Sequence, residues 1–266
     1  LIEAITSKLL HQPNVLLEQE SRCQPKVCGL RLIESAHDNS VLMAARLRDF
    51  EVKDLLRLTH FFAFGTETFS LAVNLLDRFL SKMKVQPKHL RCVGLSCCYL
   101  AVKSTEEEGN VPLVTDLIRI SQYKFTPSDM MRMEKIVLEK MCCKVKATIA
   151  FQFLQLYYLF IHENLPFEKK EPEHATIGLW FCKAKLSVLA LSIIALEIQT
   201  QKFIEVTEGV ECLQKPSKIN CRDLTFWQEM VTKCLTEYSS NNCSEPNLKH
   251  YYKITHLPTI PETGSS

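Results

Sequence analysis

The fold class is indicated by residues 67–80, which read Glu-Thr-Phe-Ser-Leu-Ala-Val-Asn-Leu-Leu-Asp-Arg-Phe-Leu. Apolar side chains recur here every three or four residues, the spacing that places them on one face of an α-helix. This apolar stripe consists of Phe69, Ala72, Val73, Leu76, Phe79, Leu80 and Met83. Thr66 precedes the stripe and is the expected N-cap. The segment therefore predicts an amphipathic helix with one face in a core.

The flanking sequence continues the helical pattern on both sides. Between Val41 and Gln86 there is no proline and one glycine, Gly65, so two helices are expected, one on each side of that glycine. Pro87 suits the first residue of a third helix, which is apolar on more than one face and should be central. The acidic run that follows, Glu106 to Glu108, is typical of a solvated helix end.

A strong helix start occurs at Thr126, Pro127 and Asp129. These residues combine an N-cap, a proline at the first helical position and an acid three residues after the cap. They predict a helix over about residues 128–142, preceded by a short helix at residues 114–121. The cap should stabilise the helix by about 1 kcal/mol.

The second half of the chain shows a weaker version of the same organisation. Helices are expected at about residues 148–163, 186–201 and 222–238. Residues 93–98 and 189–194 align as two similar small-residue helix segments, either as an internal repeat or by chance. The sequence is accordingly divided into an N-terminal segment (1–40), a first helical unit (41–146), a second unit (147–240) and a tail (241–266).

Composition excludes several classes of function. The chain has 266 residues with 32 Lys and Arg against 30 Asp and Glu, a balance that does not fit a strongly basic nucleic-acid-binding protein. The longest apolar run, residues 186–198, is too short to span a bilayer, so no membrane partner is expected. The 12 cysteines are too small a fraction of the 266 residues for a disulfide scaffold. A reducing location, the nucleus and cytoplasm, is the expectation.

No catalytic motif is present. The sequence lacks a glycine-rich dinucleotide motif, a P-loop, a His-Glu-x-x-His motif and a Cys-x-x-Cys pair. Cys23 and Cys28, with His11 and His37 nearby, lack the second ligand pair that a zinc site requires. We therefore expect a protein that is not an enzyme and that has no catalytic residues, no metal site and no cofactor.

Four charged residues lie in or beside the apolar stripes. Arg48 falls within the stripe of the first helix and Asp77 within that of the second, so each can serve as the partner of the other. Alternatively, Arg48 extends to solvent or pairs locally with Asp49 or Glu51. On the residues alone, Lys103 reads as a cation at a helix C-terminus and Glu134 as a solvated acid.

Four segments together resemble a cyclin box: Leu-Arg-Asp-Phe (47–50), residues 67–80, Leu-Ala-Val-Lys (100–103) and Arg-Met-Glu-Lys-Ile-Val-Leu (132–138). The resemblance extends over about residues 44–160, in order and at matching spacing. Residues 189–197 and 223–229 resemble the G-type cyclins in particular. The resemblance implies an all-α cyclin fold of two units with about five helices each.

The resemblance also implies site residues and a function. Arg48 and Asp77 match the internal ion pair that joins the first two cyclin helices. Lys103 and Glu134 match the pair that binds the kinase beside its regulatory helix αC in kinase-activating cyclins. The implied function is that of a regulatory subunit that binds and allosterically regulates a cyclin-dependent serine/threonine kinase in the cell cycle, including mitosis and cell division.

The sequence departs from the family pattern in two places. The family's substrate-docking patch maps onto Leu47, Phe50, Glu51, Asp54, Arg57 and Leu90. Because Glu51, Asp54 and Arg57 stand where Leu, Trp and Glu are expected, weak or absent binding of Arg-x-Leu peptides is predicted. The segment between Glu163 and Leu186 is also too short for a full helix and its connection, which predicts a shortened second unit.

The resemblance to G-type cyclins implies an alternative function from another class. This is a non-catalytic adaptor that recruits a regulatory subunit of protein phosphatase 2A during growth arrest after DNA damage. A DNA-binding transcription factor with a cyclin fold is disfavoured, because pairs such as Lys169 and Lys170 are too short to form a basic surface.

Overall fold

The computed structural model describes residues 15–20, 40–164, 185–200, 210, 213–214 and 217–242. These described ranges contain helices and no β-strand, in agreement with the predicted all-α class. The chain divides into two compact units. The first unit contains residues 25–146 and 245–266, and the second contains residues 1–24 and 147–244.

The helices are numbered here in chain order. They are α1 (residues 15–20), α2 (Ser40–Phe62), α3 (Thr66–Leu80), α4 (Pro87–Thr105), α5 (Val114–Ser121), α6 (Pro127–Lys140), α7 (Ala150–Asn164), α8 (Leu186–Thr200) and α9 (Cys221–Asn242). A short 3-10 helix, Glu108–Asn110, lies between α4 and α5.

The first unit is built around α4, as its all-round apolar character predicts. Helices α2, α3 and α6 pack against α4, and α5 packs against α2 and α6. Leu95, Cys97 and Ala101 of α4 are fully buried at the centre of this arrangement. The stripe of α3 is buried from Phe69 to Leu80, but residues off the stripe such as Leu71 and Leu75 are buried as well, so the core surrounds α3 more completely than the amphipathic pattern predicted.

Helix α6 begins at the predicted capping box. The backbone N–H of Asp129 donates to Thr126 Oγ1 at 3.2 Å, and the N–H of Thr126 donates to Asp129 Oδ2 at 2.9 Å. Burial acts to raise the pKa of Asp129, but the hydrogen bonds from Thr126 and the charge of Arg132 lower it below its ordinary value. The carboxylate is therefore a stable part of the helix start.

Helix α3 begins differently from the prediction. Thr66 is the first helical residue, and Gly65 occupies the N-cap position. Glycine has no side chain that could cap the helix. The N–H of Gly65 donates instead to Glu106 Oε1 at 2.9 Å, and the Thr68 hydroxyl contacts the same oxygen. Glu106 is thus a cap supplied from the end of α4, which corrects its interpretation as a purely solvated acid.

The second unit has α8 between α7 and α9. Most of α8 is buried, including Leu189, Leu191 and Ile193. Buried Tyr157 of α7 shares a hydrogen bond of 2.9 Å with Ser217, and burial raises the pKa of its phenol. The predicted loss of a helix concerns residues 165–184, which lie outside the described residues.

Helix α1 belongs to the second unit although it precedes the first in sequence. Glu20 is buried, and its carboxylate accepts hydrogen bonds of 2.9 Å from both the backbone N–H and the hydroxyl of Ser187. The hydroxyl of Thr148 donates to Gln19 Oε1 at 2.9 Å. Residues 19 and 20 thereby satisfy polar groups near the starts of α8 and α7.

Candidate functional site

Arg48 and Asp77 form a buried bidentate ion pair between α2 and α3. Arg48 Nε donates to Asp77 Oδ1 at 2.9 Å and Nη2 donates to Oδ2 at 2.8 Å. The Arg48 side chain is 1% exposed and that of Asp77 is 8% exposed. Arg48 also donates to Asp49 at 3.2 Å, so the long-range pair and one local alternative are both present. Arg48 does not extend to solvent.

Lys103 and Glu134 are brought together by the packing of α4 against α6. Lys103 lies in the last turn of α4 and Glu134 near the middle of α6, and Lys103 Nζ is in contact with Glu134 Oε1. The ammonium also lies 4.6 Å from the centre of the Tyr99 ring, one turn earlier on α4. The structure places the two residues together, and their role in kinase binding stays a prediction.

This pair is accessible from solvent. The Lys103 side chain is 37% exposed and that of Glu134 is 14% exposed. Met131 lies one turn before Glu134 on the same face of α6 and is 56% exposed. A charged donor, a charged acceptor and an apolar side chain are therefore available together to a macromolecular partner.

The residues matched to the docking patch differ in their exposure to solvent. Glu51 is 2% exposed and Leu90 is buried as well. Arg57 and Asp54 remain at the surface, where they form a 2.6 Å ion pair with each other. Phe50 is exposed and Leu47 is half-buried. Of the three charged residues matched to the patch, Glu51 is therefore buried, and weak or absent binding of Arg-x-Leu peptides stays a prediction.

Glu51 is buried because α4 carries a glycine opposite it. A Cβ atom at Gly94 would lie 2.0 Å from Glu51 Oε1, so only a residue without a side chain leaves room for this carboxyl. Glu51 Oε1 has no hydrogen-bond partner. Burial, assisted by the nearby charge of Asp54 and opposed by that of Arg91, raises the pKa of Glu51 well above its ordinary value.

Asp54 and Arg91 extend this cluster to the surface through Tyr123. The Tyr123 hydroxyl donates to Asp54 Oδ2 at 3.1 Å, and the Arg91 guanidinium lies 5.1 Å from the centre of the Tyr123 ring. Burial, aided by the charges of Glu51 and Asp54, raises the pKa of Tyr123. Sequence reasoning included Gly94 in a small-residue helix segment without placing it beside Glu51, and it missed Arg91 and Tyr123. The only available signal was that Gly94 is a lone glycine inside an otherwise uninterrupted helix.

The described residues offer no cluster of three or more potential metal ligands. Cys23, Cys28, His11 and His37 lie outside the described residues.

Burial raises the pKa of the Cys92 and Cys98 thiols to about 12, so these cysteines are protonated and unreactive at neutral pH. In the part of the chain that the structure covers, no helix reaches the length and apolarity needed to cross a bilayer.

Comparisons with known proteins agree with this geometry. The family model of the cyclin N-terminal domain matches residues 13–146. Human cyclin-G1 is 71% identical over 98% of this chain and 99% of its own length. Cyclin-G2 of Mus musculus is 45% identical over 94% of this chain and 80% of its own length.

A solved structure shares the fold. The crystal structure of a viral cyclin from herpesvirus saimiri matches 85% of this chain and 99% of the viral chain, with a TM-score of 0.69 at 18% identity. The alignment with human cyclin-G1 extends over 292 residues, more than the 266 of this chain, so that relative has residues without a counterpart here. By domain match, by identity over nearly its whole length and by fold, the chain belongs to the cyclin family, among the G-type cyclins.

Proposed function

We propose that this cyclin binds a cyclin-dependent serine/threonine kinase through Lys103 and Glu134 and allosterically regulates it in cell-cycle control. The observation that carries the proposal is the accessible ion pair itself. Two residues 31 positions apart in sequence meet on one face of the first unit, at the positions that the cyclin resemblance assigns to kinase binding. Cyclins are regulatory subunits and not catalysts, which agrees with this role.

The mechanism requires binding and no bond-making chemistry. Lys103 offers N–H donors to carbonyl oxygens of the kinase, and Glu134 offers acceptors to its N–H groups. Contacts beside helix αC favour its inward position, in which the kinase's own Lys and Glu pair and its ATP phosphates are aligned. The cyclin shifts the kinase toward this form only as far as it binds that form more tightly.

The pair is better suited to binding than to holding the fold together. A partly exposed ion pair contributes only about 0 to 1 kcal/mol to stability. Lys103 is oriented by the Tyr99 ring and by Glu134, so less conformational entropy is lost when a partner binds. Exposed Met131 can add apolar contact area beside the charges.

The test is kinase capture by the Lys103→Ala/Glu134→Ala double variant. Wild type should retain a cyclin-dependent kinase from cell extract and from a panel of purified kinases, and the double variant should lose it. The matched control is Asp116→Ala/Arg119→Ala, which removes another ion pair of the first unit, with a 2.8 Å contact on α5. All three proteins should show the same circular dichroism. Undiminished capture by the Lys103/Glu134 variant would refute the proposal.

The second candidate is the adaptor for a regulatory subunit of protein phosphatase 2A in growth arrest after DNA damage. Its support is the G-type identity of the relatives, and no described residue is assigned to it. The same experiment separates the candidates, because a phosphatase subunit retained by both variants, with no kinase retained by wild type, favours the adaptor. The protein itself is expected in the nucleus and cytoplasm, which imaging of the tagged full chain checks.

A further inference from the structure

Two segments of the first unit concentrate positive charge. Residues 78–88 and 139–146 carry Arg78, Lys82, Lys84, Lys88, Lys140, Lys144 and Lys146. Glu139 is the single acidic residue in the two segments. The two segments together therefore carry a net charge of +6, whereas the whole chain carries +2. Their separation in sequence hides this concentration from a search for basic runs.

The fold joins the two segments at the ends of α3 and α6. Arg78 Nη2 donates to the backbone oxygen of Lys144 at 2.8 Å, and Lys82 Nζ donates to that of Lys140 at 3.0 Å. Residues 78–88 and 139–146 are named here the basic face. These two hydrogen bonds bring the segments into contact, so their charges lie on neighbouring parts of the first unit.

Local structure accounts for only part of this charge. Arg78 and Lys82 bind carbonyl oxygens at the C-terminal end of α6, where cations are favourable. The side chains of Lys88, Lys140, Lys144 and Lys146 are exposed. Burial lowers the pKa of neighbouring His89, and the charge of Lys88 lowers it further. Such a concentration is unfavourable by self-repulsion unless an anionic partner offsets it.

The composition of the basic face indicates the kind of partner. Its one aromatic residue, Phe79, is buried, so no ring is available to stack on nucleic-acid bases. None of the large exposed apolar residues of the described chain lies in it, so nothing is available to insert into a membrane. Separate lysines act as point charges and lack the planar guanidinium group with which arginine binds phosphate in a bidentate way.

We propose that the basic face is a docking surface for an acidic segment of a protein partner, rich in Asp or Glu. Its residues are distinct from Lys103 and Glu134, so variants can test the two surfaces one at a time. The carboxylates of the partner pair with the exposed ammonium groups of Lys88, Lys140, Lys144 and Lys146. Association is fast and weakens as salt is added.

The experiment measures binding of a fluorescent polyglutamate peptide to the full chain by anisotropy at low salt. Lys88→Glu/Lys144→Glu should weaken binding about tenfold or more, because two exposed charge pairs become two repulsions. The matched control, Arg46→Glu/Lys233→Glu, makes the same change in net charge at exposed residues outside the basic face and should bind as wild type does. Lys103→Ala/Glu134→Ala should also bind normally.

Each of the following outcomes would overturn the proposal. Absence of peptide binding to wild type refutes it, and equal weakening in both charge-reversal variants reduces it to an effect of net charge. An oligothymidylate with the same number of charges that binds more tightly than the peptide would assign the face to nucleic acid. Stronger binding to vesicles containing phosphatidylserine would assign it to a membrane.

Discussion

Replacing Glu51 by methionine should stabilise the protein, and the gain should increase with pH. Methionine has the same unbranched shape as glutamate, so it can follow the same path past Gly94 without a clash. The change removes a carboxyl that is 2% exposed and whose Oε1 has no hydrogen-bond partner. A buried polar group without such a partner costs about 1 to 3 kcal/mol in proteins, which is the expected gain.

The pH dependence follows from the raised pKa of Glu51. At pH values above the ordinary carboxyl pKa the unfolded chain loses this proton while the folded protein keeps it. The folded state then binds more protons than the unfolded state, so wild-type stability falls as pH rises toward the folded-state pKa. Methionine does not titrate, and the advantage of the variant is therefore smallest at pH values at or below the ordinary carboxyl pKa and grows as pH rises toward the folded-state pKa.

The assay is urea unfolding of the full chain followed by far-ultraviolet circular dichroism, at about pH 5 and about pH 8. Glu139→Met is the control, since it removes the same charge at an exposed position and should change stability by less than about 0.5 kcal/mol. A loss of stability in Glu51→Met would refute the inference that the carboxyl is unfavourable where it lies. An equal gain at both pH values would refute the raised pKa.

Three further substitutions test the packing around the site, each by the same unfolding assay. Arg48→Met leaves the carboxylate of Asp77 buried without its ion-pair partner and should lower the free energy of unfolding by about 3 to 5 kcal/mol. A loss below about 1 kcal/mol would contradict the pair's role in joining α2 and α3. Gly94→Ala would be favourable at an exposed helix position, but here it should lower the free energy of unfolding by about 1 to 3 kcal/mol because its Cβ would meet Glu51 Oε1. Combining it with Glu51→Ala should remove that loss. Thr126→Ala removes one side of the capping box and should cost about 1 kcal/mol, whereas an unchanged unfolding midpoint would show that the box adds nothing to α6.

Local signals in the sequence were sufficient to predict the helices of the first unit. Pro87 is the first residue of α4, as predicted, and α6 begins at Pro127 with Thr126 as its cap. These signals work because they depend on residues within one turn of each other, whose geometry the helix itself fixes. Both charged pairs were also named from sequence, but Lys103 and Glu134 required the family resemblance, since nothing in their local pattern distinguishes them from solvated charges.

The tertiary structure decided which residues far apart in sequence meet. Nothing in the sequence indicated that Glu51 is buried, which results from the packing of α2 against Gly94 of α4. Glu106 caps α3 from the end of α4, and Lys82 reaches α6 to join the basic face. These contacts depend on how closely and at what angle helices cross, which is set by the whole core and not by any single helix. The sequence by itself therefore determined an all-α chain with correctly phased apolar faces, and the packing of those faces determined which charges are buried, paired or left for a partner.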